Sequence, residues 1–432
     1  MKSEVFAEGC KFEPYWWDRT PRPKLPETAV PEAADVVVVG SGYTGLNAAL
    51  QLARGGRQTI VIDAEEAGWG CSTRNGGQIG HALKPGFAKL AGKYGAERAT
   101  GILKEGLNSL AWLGEFVAAE KMECDFARVG RFQAAHNPAR YEALARSVAN
   151  PPKGLEVEGY VVPRSDQRSE LGTDAYYGGV VYPQHAWIDP ALYHQELLAR
   201  VISSGVQVLT HCPVTKIEKS GQGFNVTTAR GTLKARDVVV ATNGYTGNLT
   251  PWLRRRVIPI GSYMIATERL PAEVMDRVMP RNRCVGDTRK VIYYYRSAPD
   301  RSRILFGGRV SLSETDARIS GPRLHAELIR IFPELSGYGI GHSWHGTVAY
   351  TFDELMHVGK HEGIHYAIGY CGSGVAMASY CGMRIGQQVL GLKEGRTAFD
   401  GLTFETRPLY KGNPWFLGPS LFYYKMRDRL PI

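Results

Sequence analysis

Two apolar runs near the N-terminus enclose a stretch with helical spacing. The run 36–39 is a continuous series of valines, a pattern typical of a strand buried on both faces. Apolar residues recur at helical spacing over 46–53, and Gly55-Gly56 ends that pattern. A second apolar run, 59–62, closes on Asp63. The pattern therefore predicts a strand, a helix and a second strand, which together form a βαβ unit.

Later segments repeat both kinds of pattern. Helical spacing covers 96–120, 191–202 and 374–390. Strands are predicted near 206–210, 214–219, 224–228, 237–241, 257–267, 291–296 and 303–309. Strands and helices are thus mixed along the whole chain.

A glycine-rich turn joins the first strand to the first helix. Gly40 allows the tight turn, Gly42 lets the backbone approach a pyrophosphate, and Gly45 lets the helix pack close to the strand. The helix N-terminus offers free N–H groups to the anion. Asp63 follows Gly45 by 18 residues, where an acid binds a ribose hydroxyl, which favours FAD or NAD over NADP. A chance match of the turn, or a merely exposed carboxylate at Asp63, is the alternative.

Composition narrows the class of protein. The formal net charge is +10, from 52 Lys and Arg against 42 Asp and Glu. A charged fraction of 22% beside 44% apolar residues argues against disorder. The basic surplus raises the question of nucleic acid, but the only run of three basic residues, 254–256, is interpreted as a solvated face. We therefore expect no nucleic-acid partner, although a flavoprotein that acts on tRNA remains an alternative.

The absence of certain sequence features indicates where the protein is located and whether its cysteines are reduced. No stretch approaches 18 uninterrupted apolar residues, so we expect no transmembrane segment. The first ten residues contain no apolar signal region. The seven Cys include no CxxC pair, which argues against a zinc ribbon, and scattered single thiols fit a reducing compartment. We expect a cytoplasmic protein without a structural metal.

Four segments then decide between the cofactors. They are 68–78 (GWGCSTRNGGQ), 237–244 (DVVVATNG), 344–353 (WHGTVAYTFD) and 369–375 (GYCGSGV). In this order they resemble the D-amino-acid-oxidase-like (DAO) family of FAD-dependent oxidoreductases. The segment 306–309 (FGGR), the GYTG of the first turn and the STRNGGQ of the second resemble most the γ-glutamylputrescine oxidase branch.

The resemblance implies FAD as the cofactor and a set of residues around it. The implied contacts are Gly40, Gly42, Tyr43, Thr44, Gly45, Asp63, Ala64, Gly70, Ser72, Arg74, Asn75, Gly76, Gly77, Gln78, Val214, Thr242, Asn243, Gly244, Gly346, Gly372, Ser373, Gly374 and Val375. A surface role is the alternative for Arg74, and a plain helix start is the alternative for Gly372 and Gly374.

The segment 344–353 departs from the family pattern. In the α-amino-acid oxidases of the family that this segment resembles, an Arg at this position binds the substrate carboxylate. This sequence has Val348 in place of that Arg. Arg309 is the candidate substitute, with a surface Arg as the alternative. Gly346 stands where sarcosine oxidases carry the Cys that bonds the flavin, so we expect non-covalent FAD; Cys71 or Cys371 is the remaining route to a covalent bond.

Strand alternation predicts the pocket walls. If Val348 faces the flavin, then Gly346 and Tyr350 face it too, while His345 faces away. Tyr350 becomes a candidate catalytic residue, with Arg309 and Tyr263. A core aromatic is the alternative for Tyr263, and a base at His345 is the weaker interpretation.

Three histidines at 357, 361 and 365 have the spacing of a metal site on a helix. The stretch between them contains two Gly and lies between two predicted strands, so we interpret it as a hairpin and expect no metal site.

The resemblance also implies an α/β fold. We expect a Rossmann-like FAD-binding domain of the glutathione-reductase/DAO type and an α+β substrate domain with a discontinuous β-sheet. The expected parts are an irregular arm at 1–32, the FAD-binding domain at 33–84, 186–252 and 341–400, the substrate domain at 85–185 and 253–340, and a tail at 401–432 that packs on the body or on a partner chain.

The implied reaction is the oxidation of a C–N bond in an amine or amine conjugate. Hydride would pass to flavin N5, and water would hydrolyse the imine to a carbonyl compound and an amine. An oxidase or dehydrogenase of α-amino acids, D-amino acids or imino diacids is the alternative. The sequence leaves open whether O2 or another acceptor reoxidises the flavin, and whether the chain forms a homo-oligomer.

Overall fold

The computed structural model describes residues 5–311 and 313–428. Its strands are β1 Phe6–Lys11, β2 Ala33–Val39, β3 Thr59–Ile62, β4 Gln78–Ile79, β5 Arg131–Ala134, β6 Tyr160–Val162, β7 Gly179–Tyr182, β8 Ala186–Trp187, β9 Gln207–Leu209, β10 Val214–Ser220, β11 Gly223–Thr228, β12 Gly231–Val240, β13 Val257–Thr267, β14 Cys284–Asp287, β15 Tyr293–Ser297, β16 Ile304–Gly308, β17 Ile340–Thr351, β18 His357–His361 and β19 Ile364–Ile368. Its α-helices are α1 Tyr15–Arg19, α2 Tyr43–Arg54, α3 Phe87–Tyr94, α4 Ala96–Ala119, α5 Pro138–Ala149, α6 Gln167–Glu170, α7 Pro190–Ser203, α8 Pro251–Arg254, α9 Ala272–Val278, α10 Ala317–Ile331, α11 Gly374–Val389 and α12 Leu417–Arg427.

The first sheet contains the predicted βαβ unit. Its strand order is β10-β11-β12-β2-β3-β9, and β19 and β18 extend it beside β12. Strands β12, β2, β3 and β9 are parallel. The side chains of Val36, Val37 and Val38 are fully buried, because both faces of β2 are covered. The predicted strand, helix and second strand are thereby confirmed.

Helix α2 packs tightly against the strand that precedes it. A Cβ atom on Gly45 would collide with the carbonyl oxygen of Gly40 and come within 3.3 Å of Val38. Only glycine lets the helix approach this closely. Leu46, Leu50 and Leu52 then join one core with residues of α7 and α11, which fixes the carboxyl ends of the parallel strands beside the start of α2.

The second sheet has nine strands, in the order β1-β17-β13-β16-β15-β14-β5-β7-β6. Strands β17 and β13 are antiparallel over their whole length, with Gly346 opposite Ser262 and Tyr350 opposite Ile258. The strands predicted near 257–267, 291–296 and 303–309 are all present. Residues 341–351, which we expected in the FAD-binding domain, belong to β17 of this sheet, because β13 satisfies their backbone hydrogen bonds.

The N-terminal arm is not irregular as expected. Strand β1 pairs in parallel with β17, and α1 follows it. Trp16 in α1 is fully buried in a cluster with Met264 and Trp344. The arm is ordered because burying this indole removes a large apolar surface from water. Residues 1–4 of the arm lie outside the described residues.

The C-terminal tail packs on the body through α12. Leu417 and Leu421 are buried against Val291, and Ile260 of β13 packs on the same cluster. The Asp428 carboxylate accepts the backbone N–H of Lys290 at 2.8 Å and that of Val291 at 3.0 Å. Residues 429–432 lie outside the described residues. Within the described parts of the chain, every helix is too short or too polar to cross a membrane.

Candidate functional site

The predicted glycine turn has the form of an anion cradle. Gly40 has a φ of +107°, a left-handed conformation that favours glycine. Gly42 precedes α2, whose first N–H groups have no partner within the helix. The side chains of Tyr43 and Thr44 are used elsewhere: the Tyr43 hydroxyl donates to the Pro190 carbonyl at 2.9 Å, and the Thr44 hydroxyl bonds that of Tyr370 at 2.6 Å. Only the backbone at these two positions is left for the predicted contacts with FAD, and those contacts stay predictions.

Asp63 is held in place at the end of β3. One carboxylate oxygen accepts the backbone N–H of Ser41 at 2.7 Å and the Ser41 hydroxyl at 2.6 Å. The other accepts the N–H of Glu65 at 3.0 Å. A carboxylate has about four acceptor positions, so these three bonds leave room for a further donor such as a sugar hydroxyl.

Two predicted contacts lie near Asp63 in space. Ala64 follows it directly and is exposed. The N–H of Cys212 donates to the Asp63 carbonyl at 2.8 Å, and this bond brings the start of β10, at Val214, towards the same crevice.

The segment 68–78 is folded by its own side chains. The Asn75 amide donates to the carbonyls of Cys71 and Ser72 and accepts the N–H of Gly77. The Ser72 hydroxyl accepts the N–H of Tyr43 at 3.0 Å, which joins the segment to the start of α2. Asn75 therefore has an internal role, and its predicted contact with FAD stays a prediction.

Gly76 and Gln78 connect the segment to the second sheet, whereas Gly70 approaches the turn that follows β12 of the first sheet. A Cβ atom on Gly76 would lie 3.2 Å from the Tyr294 ring, and one on Gly70 would lie 3.2 Å from the Tyr245 ring. The Gln78 amide donates to the Tyr295 carbonyl at 2.9 Å. The segment thus spans the crevice between the two sheets.

Arg74 is enclosed by protein groups. Its guanidinium donates to the carbonyl of Trp69 at 2.7 Å and to that of His345 at 3.1 Å. It also lies over the rings of Trp17 and Trp69, at 4.4 and 4.7 Å. Burial lowers the pKa of this guanidinium. These contacts make Arg74 a support of the segment, and a role towards FAD stays a prediction.

The N-terminal arm holds the same segment from outside. The Trp16 indole donates to the Asn75 carbonyl at 2.8 Å, and the Trp17 indole donates to the Thr73 hydroxyl at 2.8 Å. Arg22 lies 3.5 Å over the Trp17 ring. Nothing in the sequence showed which segment these two indoles contact.

The turns at 242–244 and 369–375 meet at β17. The Asn243 side chain accepts the N–H of Gly369 at 3.0 Å, and a Cβ atom on Gly244 would collide with the Thr347 carbonyl. Thr242 is tied to this turn by a hydroxyl contact with Thr246 at 2.7 Å. The chain therefore brings the second and fourth predicted flavin segments into contact.

The turn at 369–375 leads into α11. Gly372 has a φ of +91°, and Gly374 has open space around its Cα. The hydroxyl of Ser373 donates to the Ala82 carbonyl at 2.9 Å, while Val375 is buried in the core. The start of α11 thus faces the crevice with small residues and free N–H groups.

The alternation predicted for β17 is confirmed. A Cβ atom on Gly346 would lie 2.8 Å from the Cys71 sulfur. The Tyr350 hydroxyl lies 3.5 Å from the Cβ position of Gly372. His345 is exposed on the opposite face of the sheet. Gly346, Val348 and Tyr350 therefore share the face that borders the predicted flavin segments.

The structure does not bring Tyr263 and Arg309 to that face. Tyr263 is opposite His345 in the register, so its side chain lies on the other side of the sheet. Its hydroxyl donates to the Glu314 carboxylate at 3.0 Å, and burial raises its pKa to about 12. Arg309 donates to the Gly261 carbonyl at 2.6 Å and to Glu314 at 2.8 Å. Tyr263 therefore fits the core alternative. Arg309 is buried beside it, so the surface alternative for Arg309 is wrong, and its role as a substrate anchor stays a prediction.

Three residues that we did not single out border the site. Ser262 and Tyr294 share the face of Gly346, and their hydroxyls are 3.0 Å apart. Burial raises the pKa of Tyr294 to about 12, so its phenol is neutral at pH 7. Lys84 approaches Tyr350, with its ammonium 5.9 Å from the ring centroid. The alternation of side chains along β13 could have identified Ser262 from the sequence. Lys84 could be identified only from the structure, which shows that the chain comes back to Tyr350 after β4.

The three spaced histidines lie in a hairpin, as predicted. Strands β18 and β19 are antiparallel, with His361 opposite Ile364. His357 stacks on Phe404 at 3.8 Å, and His361 stacks on Trp252 at 3.9 Å. Over the ranges 5–311 and 313–428, we find no group of three or more His, Cys, Asp or Glu side chains arranged to hold a metal ion.

A nucleotide cradle at the carboxyl ends of a parallel sheet, faced by a second sheet, is the arrangement of a two-domain flavin-dependent oxidoreductase. The comparison with protein families agrees: the family described as DAO, FAD dependent oxidoreductase, matches residues 35–388. The chain belongs to this family, and it is an enzyme with FAD as its cofactor.

Two relatives match nearly the whole chain. The probable oxidoreductase OrdL of Rhizobium meliloti is 30% identical over 96% of this chain and 97% of its own length. The gamma-glutamylputrescine oxidoreductase of Escherichia coli is 29% identical over 92% of this chain and 93% of its own length. The likeness therefore includes the arm and the tail as well as the central segments.

Solved structures show the same fold. The glycine oxidase of Geobacillus kaustophilus superposes with a TM-score of 0.72 at 17% identity, over 88% of this chain and 99% of that one. The L-proline dehydrogenase of P. horikoshii superposes with a TM-score of 0.70 at 17% identity, over 90% of this chain and 99% of that one. The predicted fold class is thereby confirmed.

The residues present fit FAD. Glycine at positions 40, 42 and 45 leaves room for a pyrophosphate at the start of α2, and Asp63 keeps an acceptor for a sugar hydroxyl. The turn before α11 offers N–H groups to a flavin ring at the other end of the crevice. Gly346 has no thiol, and the segment opposite it leaves too little space for a larger side chain.

Proposed function

We propose that this protein oxidises a C–N bond of an amine or amine conjugate of the γ-glutamylputrescine type. FAD, bound non-covalently by the protein, would accept a hydride from the carbon that carries the nitrogen. The likeness to the gamma-glutamylputrescine oxidoreductase supports this substrate class.

The observation that carries the proposal is Val348. It lies on the face of β17 that borders the flavin segments, between Gly346 and Tyr350. Valine cannot form the bidentate pair with a carboxylate that an Arg would form there. The guanidinium of Arg309, the other candidate anchor, donates to the Gly261 carbonyl and to Glu314 and lies 5.7 Å from the centroid of the Tyr263 ring. A simple α-amino acid would therefore lack its usual anchor at this position.

The protein supplies orientation and hydrogen bonding. The neutral phenol of Tyr294 and the hydroxyls of Ser262 and Tyr350 can donate to or accept from an uncharged amine. The buried indole of Trp344 donates to the Arg74 carbonyl at 2.8 Å and joins the same face of β17 to the segment 68–78. A dry pocket that fixes the amine favours transfer from one C–H bond.

Anaerobic titration tests the proposal. Purified holoprotein would be mixed with γ-glutamylputrescine, putrescine, glycine, sarcosine and D-alanine, and the visible flavin band would be followed. We expect γ-glutamylputrescine to bleach it at least tenfold faster than glycine or D-alanine. Admitting air afterwards shows whether O2 restores the band. Faster bleaching by the α-amino acids would support the alternative amino-acid oxidase instead.

A further inference from the structure

Lys84 returns to the pocket from the segment that follows β4. Its ammonium lies 5.9 Å from the centroid of the Tyr350 ring. Its Cε lies 4.0 Å, and the Tyr350 hydroxyl 3.5 Å, from the Cβ position of Gly372. The bond from the Ser373 hydroxyl to the Ala82 carbonyl fixes the chain two residues before Lys84. Lys84 and Tyr350 therefore both lie beside the turn at Gly372.

The Lys84 ammonium has no carboxylate partner among the described residues. The acid that acts on it from a distance, Glu354, is itself paired with Lys89 at 2.6 Å. Interaction with Tyr350 raises the pKa of Lys84, against a lowering by burial. The side chain is thus a cation at neutral pH, and no carboxylate among the described residues neutralises it.

The surrounding wall is free of acids on both central strands. The side chains on this face are Ile258, Ile260, Ser262 and Met264 of β13, and Trp344, Val348 and Tyr350 of β17. The wall is apolar or hydroxylated, and Lys84 adds a positive charge at the Tyr350 end. Such a surface favours a ligand with a negative charge at one end and an uncharged body.

We propose that Lys84, with the Tyr350 hydroxyl as a second donor, binds a carboxylate of the substrate. This inference rests on the proposed amine oxidation and specifies its substrate class: an amine whose carboxylate is remote from the oxidised carbon. Tyr350 follows Val348 by two residues, which is about 7 Å along a strand. We therefore expect the carboxylate to lie nearer Gly372 than one anchored at position 348 would, as in an amine whose carboxylate is remote from the oxidised carbon.

Equilibrium binding tests the anchor without turnover. The FAD-loaded protein would be titrated with glutarate and, separately, with the uncharged glutaramide, and the flavin spectrum would report binding. We expect wild type to prefer glutarate by about tenfold, and Lys84→Met to lose that preference, since a charged hydrogen bond has about this value. Lys84→Arg should retain most of it. The matched control is Lys89→Met, a nearby lysine paired with Glu354, which should behave as wild type.

Turnover provides the second measurement. The ratio of kcat/KM for γ-glutamylputrescine to that for its carboxyl amide should fall about tenfold in Lys84→Met and stay unchanged in Lys89→Met. Equal preference for glutarate and glutaramide in wild type, or an unaltered preference in Lys84→Met, would overturn the inference. A weakened affinity for FAD in Lys84→Met would do so too, by placing the lysine on the cofactor. If no amine reduces the wild-type flavin, the proposed function fails, while the glutarate titration still decides the role of Lys84.

Discussion

The indole N–H of Trp17 donates to the hydroxyl of Thr73 at 2.8 Å, across 56 residues of sequence. Thr73 in turn donates to the carbonyl of Gly68, so one hydroxyl joins the arm to both ends of a flavin-contact turn. The predicted flavin-contact segment 68–78 is therefore held in place by the N-terminal arm, which lies outside the central strands of both sheets.

Trp17→Phe should weaken FAD binding without unfolding the protein. The ring remains to stack on Arg22 and Arg74, but the hydrogen bond to Thr73 is lost. One such bond has a value of about 1 kcal/mol, so we expect the Kd for FAD to rise roughly fivefold. Quenching of FAD fluorescence measures it. Trp415→Phe, at an exposed indole of the tail, is the control. Equal affinities in wild type and Trp17→Phe would show that the arm does not shape the cofactor site.

Gly45→Ala should abolish the cradle. The added methyl collides with the Gly40 carbonyl, and both groups are backbone-anchored, so the helix must move away from β2. We expect a loss of about 2 kcal/mol or more in stability together with loss of FAD uptake. Thermal unfolding with and without FAD reports both effects. Gly92→Ala, in α3 where a Cβ atom would meet open space, should be neutral or slightly stabilising. A Gly45→Ala protein that binds FAD normally would contradict the predicted role of this turn.

Val348→Arg should change substrate preference. The new guanidinium would face the pocket beside Gly346 and could pair with an α-carboxylate. We expect anaerobic flavin reduction by D- or L-α-amino acids to increase about tenfold relative to γ-glutamylputrescine. Val348→Met, which adds length without charge, controls for crowding. The same preference in both variants would mean that the anchor position on β17 has been assigned wrongly.

Acidification should destabilise the protein through its buried histidines. Burial lowers the pKa of both His81 and His365 to about 4, from the ordinary value near 6.5. Their neutral form thus stabilises the fold above pH 6.5, and this contribution is lost as the pH falls towards 4, because the unfolded chain takes up protons first. At pH 5.5 each should cost about 1 kcal/mol, measurable by urea unfolding. His365→Gln should reduce the dependence of stability on pH. Identical free energies of unfolding at pH 7.5 and 5.5 in the wild type would exclude a contribution from these histidines.

The local part of this architecture was predictable from the sequence. The valine run, the glycine turn and Asp63 all lie within 30 residues of one another. The spacing of apolar residues and the glycines of the turn are sufficient to identify the βαβ unit that they form. The side-chain alternation of β17 could also be predicted. Once Val348 is assumed to face the flavin, Gly346 and Tyr350 must face it too, because side chains two residues apart lie on the same face of a strand.

What could not be predicted depends on pairing between distant segments. Tyr263 was placed in the pocket because its strand was known, but its face is set by its register with His345. Lys84 carries no periodic signal, since it lies in a connection between elements. The same limit applies to β1, whose partner follows it by more than 300 residues.

The pairing of β1 with β17 also orders events during synthesis. The arm is made before its partner strand at Ile340, which follows it by more than 300 residues. Until then Trp16 and Trp17 have no strand to dock beside, and the turn at Thr73 lacks its outer support. The arm therefore takes up its final place only after β17 has been made, so the outer support of the segment 68–78 is among the last parts of the fold to form.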